Sequence, residues 1–67
     1  MQDLKLVGVI WSKNPEVMIE SSKENRTYLL KKGDTFGQPQ LKIKDITRGS
    51  AILEMEVEGQ AKEYELR

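Results

Sequence analysis

Residues 41–66 read Leu41-Lys42-Ile43-Lys44-Asp45-Ile46-Thr47-Arg48-Gly49-Ser50-Ala51-Ile52-Leu53-Glu54-Met55-Glu56-Val57-Glu58-Gly59-Gln60-Ala61-Lys62-Glu63-Tyr64-Glu65-Leu66. Apolar and charged residues alternate here with the period of two that a half-buried strand requires, not the 3.6 of a helix. Two glycines punctuate the alternation. A three-residue loop Thr47-Arg48-Gly49 places Gly49 where a type I turn followed by a bulge needs a left-handed residue. That register sets Ile43 opposite Leu53 and Leu41 opposite Met55, with Lys42 opposite Glu54 on the other face. A two-residue turn at Gly59-Gln60 then pairs Met55 with Tyr64 and Leu53 with Leu66. A slip by one residue would bring Met55 against Glu63 or Glu65 and turn a charge into the core. Both turns agree on one apolar face across three strands, shared by Leu41, Ile43, Leu53, Met55, Tyr64 and Leu66.

The preceding stretch carries the same period. Leu4, Leu6, Gly8 and Ile10 alternate with Lys5, Val7, Val9 and Trp11, a run apolar on both sides that suits a strand with both faces partly covered. Lys13-Asn14-Pro15 breaks it as a turn does. Val17 and Ile19 then face Leu30 and Tyr28 across the polar link 21–26. Gly33-Asp34 ends that strand, and a loop through Gly37 and Pro39 leads to Leu41. The expectation is an all-β domain of six short antiparallel strands at about 4–11, 16–21, 26–31, 41–46, 50–58 and 61–67. Six such strands close as two packed three-stranded sheets, a small sandwich or half-open barrel.

With 67 residues the chain, 1–67, is one domain near the lower limit for folding without staples. It has no Cys and no His. That excludes disulfides and the usual zinc, haem and iron–sulfur sites, and leaves only carboxylates as metal ligands. Among nucleophiles there remain Ser12, Ser21, Ser22 and Ser50, all in turns and none in a nucleophile elbow. The glycines form no phosphate loop. The expectation is therefore no enzyme, no cofactor and no metal. No apolar run reaches the length of a membrane span, and Met1 followed almost at once by a strand reads as a piece excised from a longer protein, with a complete small protein as the alternative.

Charge sums to zero, with 11 basic and 11 acidic residues, so no global nucleic-acid footprint is expected. The distribution is uneven: basic residues dominate from Lys23 to Arg48 and acidic ones from Glu54 to Arg67. In the register above Glu54 faces Glu65 and Glu56 faces Glu63. A cation site or an acidic docking face is one reading. A solvated face on which Lys42, Lys44 and Lys62 offset the carboxylates is the simpler one. Lys31, Lys32, Lys42 and Lys44 with Tyr28 support an alternative function, a small β-barrel that binds nucleic acid by stacking. Against it, Tyr28 alternates with Leu30 in the core register. Trp11 either closes the core or anchors a protein partner.

The order of these strands resembles a known family. Leu4-Lys5-Leu6-Val7-Gly8-Val9-Ile10, Pro15-Glu16-Val17-Met18-Ile19-Glu20, Tyr28-Leu29-Leu30-Lys31-Lys32-Gly33-Asp34, Leu41-Lys42-Ile43-Lys44-Asp45-Ile46, and Ala51 to Val57 with Gly59 and Tyr64-Glu65-Leu66 are similar to successive segments of the periplasmic homology domain of inner-membrane protein C of type II secretion. That domain is related to the type IV pilus protein PilP. The segment from Thr35 to Gln40 is shorter and poorer in glycine than members often show. The resemblance implies a periplasmic domain, anchored in the inner membrane by an upstream helix, that docks on the N-terminal domain of an outer-membrane secretin. It implies no nucleic-acid partner, and membrane contact only through that anchor. The first strand is the natural free edge, so the expected partner-binding residues are Val7, Val9 and Trp11, with Lys13 and Arg26 as charges at the rim.

Overall fold

A computed structural model describes residues 3–37 and 39–67, in which seven strands and no helix occur; Met1, from which the reading of an excised chain starts, lies outside them. The strands are β1 (Leu4–Ile10), β2 (Glu16–Ser21), β3 (Arg26–Lys31), β4 (Thr35–Phe36), β5 (Leu41–Ile46), β6 (Ala51–Val57) and β7 (Gln60–Leu66). They form two antiparallel sheets, ordered β1-β2-β3 and β4-β5-β6-β7. Six of the seven match the expected segments. The additional strand, β4, is two residues long, too short to show a period. It pairs Phe36 with Leu41 and Thr35 with Lys42. The backbone just before it bonds Ile43 in both directions, through Gly33 N–H and Asp34 C=O.

The core draws on both sheets. Val17, Ile19 and Leu30 from the first sheet and Phe36, Leu41, Ile43, Ile46, Ala51 and Leu53 from the second are buried in one cluster. Leu4, Leu6, Val9, Tyr28, Met55, Tyr64 and Leu66 pack against it, half-buried. The pairings Ile19–Tyr28, Val17–Leu30, Ile43–Leu53 and Lys42–Glu54 are as the sequence predicts.

The turn before β6 differs, and the reason lies in the core. Ile46 pairs with Ala51, so the loop is the four residues 47–50, and a bulge at Lys44 restores Ile43 to Leu53. Unbroken alternation from Ile43 would send Asp45 inward and Ile46 out. The extra residue at Lys44 reverses this, burying an isoleucine and leaving the carboxylate in water. The loop is closed by Thr47 N–H to Ser50 C=O at 2.9 Å and by the two hydroxyls at 2.6 Å. Gly49 accordingly does not take the left-handed conformation expected of it.

The last hairpin also corrects the expectation. Its turn is Glu58-Gly59, closed by Val57–Gln60, and the register runs Met55–Lys62, Leu53–Tyr64 and Ala51–Leu66. This is two residues from the expected pairing. A slip of two preserves which side chains face the core, so Tyr64 and Leu66 remain inward. It seats Tyr64 beside the fully buried Leu53 and Leu66 beside Ala51. Glu58 and Gly59 have φ of 51° and 79°, the pair of positive values that a type I′ turn needs to match strand twist. Glu58 is a poor residue for that position. Glu58→Asn should stabilise the domain by roughly 0.5–1 kcal/mol, part of the left-handed penalty of a side chain with Cβ. Urea unfolding checks this; a loss of stability would mean the turn is not type I′.

Candidate protein-docking surface

β1 contains a second bulge. Leu6 pairs with Ile19 and Gly8 with Met18, leaving Val7 between them unpaired. Unbroken alternation from Leu6 would turn Gly8 inward, where it has no side chain to offer. With the bulge, Val9 turns inward and packs on the core, while Val7 and Ile10 are exposed, at 52% and 47%. Val9, expected at the partner surface, thus lies against the core, and Ile10 faces outward. Gly8, Met18 and Leu29 form one cross-strand row on the outer face of the first sheet. Leu29 is the most exposed large apolar side chain there, at 57%.

Trp11 follows β1 and is 46% exposed. The Arg48 guanidinium lies 5.5 Å from its ring centroid, so the loop before β6 holds the indole from one side by cation–π attraction. Lys13 is exposed in the β1–β2 turn, at the same end. Arg26 is not with them. It pairs with Ser21 at the other end of β2, whereas Ile10 pairs with Glu16, and five residues of strand span roughly 17 Å. Its guanidinium lies 4.4 Å from the Tyr28 ring centroid. Trp11 and Lys13 are thus at one end of the first sheet, Val7 is exposed in the middle of β1, Val9 is inside and Arg26 is at the far end. Sequence reasoning missed Ile10, Met18 and Leu29. The signal for the last two was present, since Val17, Ile19, Tyr28 and Leu30 face inward and their neighbours must face out.

Tyr28 is engaged on several sides. Its ring centroid lies 5.1 Å from that of Phe36, and its hydroxyl donates to the Glu24 carboxylate. These contacts leave little of the ring for stacking on a base. The Glu24 hydrogen bond, followed by desolvation, raises the phenol above its ordinary value of 10.0, with Arg26 acting in the opposite direction. A raised folded-state pKa contributes stability below the ordinary value, and that contribution is lost as pH rises through the folded value on the alkaline side. In a Tyr64→Phe background, absorbance titration should show Tyr28 ionising above its ordinary range. Glu24→Ala should bring the midpoint down; an unmoved midpoint contradicts the assignment.

On the outer face of the second sheet Glu54 is opposite Glu63, Ile52 opposite Glu65 and Glu56 opposite Ala61, correcting the pairs expected from sequence. Lys44, the bulged residue of β5, donates to the Glu63 carboxylate and lies 3.9 Å from Glu54. These carboxylates, Glu63 first, raise the Lys44 ammonium above its ordinary value. Lys62, expected to offset the acidic row, is opposite Met55 on the inward-facing side instead. Among the described residues no group of three or more carboxylates is placed to share a metal ion. A cleft of about 220 Å³ opens between Leu4, Ser21, Phe36, Leu41 and Met55. Its one buried polar side chain, Ser21, accepts the Glu24 N–H at 3.2 Å.

No family model matches the chain, and neither a curated protein nor a solved structure matches it.

Proposed function

We propose that the two sheets form a small sandwich whose three-stranded sheet docks on a protein partner, the N-terminal domain of an outer-membrane secretin. In this reading the domain lies in the periplasm and is tied to the inner membrane by an upstream anchor, as in type II secretion or type IV pilus assembly. One observation carries it. Among the described residues the exposed large apolar side chains are Val7, Ile10, Trp11 and Leu29, and all four belong to the first sheet or the turn that follows β1. The second sheet presents charge instead. Natural interfaces place aromatic and apolar anchors at their centres and charges at the rim, and Lys13 and Arg48 supply such a rim here. The reading is one of binding and not catalysis, and the lack of His and Cys supports it. Chemical-shift mapping with a secretin N-terminal domain tests it. Perturbations are expected at Val7, Ile10, the Trp11 indole and Met18. Perturbations confined to the Glu54–Glu63 face would sink the assignment.

A further inference from the structure

At the end of the molecule where β1 begins and β2 turns into β3, the two sheets part around the cleft of about 220 Å³. Leu4 lines it from the first sheet, and Phe36, Leu41 and Met55 line it from the second. The space is below the roughly 300–1,000 Å³ of a site for a drug-sized ligand. It exceeds the roughly 150 Å³ of an apolar cavity that holds one benzene ring. Its walls therefore suit one ring or one branched alkyl group. Water is a poor occupant. An ordered buried water needs about two to four polar partners, and among the lining side chains only Ser21 is both polar and buried.

Ser21 narrows what the occupant carries. It is 1% exposed, turned inward by the same parity that buries Val17 and Ile19 on β2. A hydroxyl both accepts and donates. Its accepting side is used, by Glu24 N–H at 3.2 Å, but among the described residues no acceptor takes its proton. The mouth carries both signs of charge, Asp3 and Glu24 against Lys23, and Glu24 is already held by the Tyr28 hydroxyl. A charged ligand would meet a like charge beside an opposite one, and would lose its water on entering apolar walls. From this cleft we infer a binding site for a small uncharged molecule: one ring or branched alkyl group with a hydrogen-bond acceptor that takes the Ser21 proton. Ser21 pairs with Leu4, whereas Ile10, next to Trp11, pairs with Glu16. The site is thus at the far end of β1 from Trp11 and does not rest on the secretin reading.

The probe is acetophenone, titrated into the isotope-labelled domain, with three counterparts of the same shape. α-Methylstyrene lacks the acceptor, benzoate carries a negative charge and benzamidinium a positive one. Acetophenone is expected to bind with about millimolar strength and to shift the resonances of Ser21, Phe36 and the Met55 methyl. Benzoate and benzamidinium should each bind about tenfold more weakly. Ser21→Ala should weaken acetophenone about fivefold while leaving α-methylstyrene unchanged. If that variant does not fold for want of the Glu24 bond, Met55→Trp fills the cleft from β6 and should abolish acetophenone binding. Tighter binding of either ion than of acetophenone overturns the inference. So does a Ser21→Ala variant that treats the two neutral probes alike, wild-type affinity in Met55→Trp, or shifts at Val7 and Trp11 in place of the cleft.

Discussion

Leu53→Ala is expected to destabilise the domain by roughly 2–5 kcal/mol, the range for deleting a large side chain from a well-packed core. Leu53 is fully buried on β6, the strand between β5 and β7, opposite Ile43 on one side and Tyr64 on the other. Flanked by paired strands, the site has little freedom to collapse onto the missing methyls. A chain of 67 residues holds a total of roughly 3–10 kcal/mol, from about 0.05–0.15 kcal/mol per residue. The variant should therefore lose a large part of its stability and show a broad or missing native baseline in urea. Leu29→Ala removes the same atoms from a site 57% exposed and should stay within about 0.5 kcal/mol of the parent. Comparable losses for the two would mean that Leu29 is covered in solution.

Trp11→Ala should weaken binding to the secretin N-terminal domain by about 2 kcal/mol, near thirtyfold, if the indole is the central anchor of the contact. Val7→Asp should weaken it too, by placing an unpaired charge in a dried interface. Neither change should unfold the domain, because both side chains are about half exposed. Trp11→Ala also removes the ring beside Arg48, an exposed cation–π contact worth about 0.5–1 kcal/mol. Calorimetry with each variant, alongside thermal melts, separates the two effects. Wild-type affinity in both variants would remove the first sheet from the interface.

The faces of the strands were legible in the sequence because burial depends on parity, and a two-residue error does not change parity. That is why Tyr64 and Leu66 were placed inward even though the last turn was set on Gly59-Gln60 in place of Glu58-Gly59. The bulge at Val7 was not legible, while the one at Lys44 left a trace in the sequence. Each inverts parity within a strand, and a run such as Leu6-Val7-Gly8-Val9-Ile10, apolar at four of its five positions, gives no contrast by which the inversion could be seen. At Lys44 the contrast was available: Asp45 inward and Ile46 outward is a conflict that uniform alternation cannot avoid. The candidate surface suffered from the same blindness. Val7 and Trp11 are exposed as expected, Val9 turns inward because it follows the inversion, and Arg26 joins the group by charge alone.

The bulged residues, Val7 and Lys44, are supernumerary to the ladders they interrupt. Take Val7 out, and Leu6–Ile19 is followed directly by Gly8–Met18, with every side chain on its present face. Take Lys44 out, and Ile43–Leu53 is followed directly by Asp45–Ile52, again without conflict. These are two places where the chain can change length by one residue without re-reading the rest of a strand. A one-residue deletion elsewhere in β1 or β5 would invert everything on one side of it. Lineages can thus gain or lose an outward-pointing residue at these positions while the core stays fixed. The residues now held there, an exposed valine and a lysine joined to two glutamates, are free to answer to whatever meets the surface.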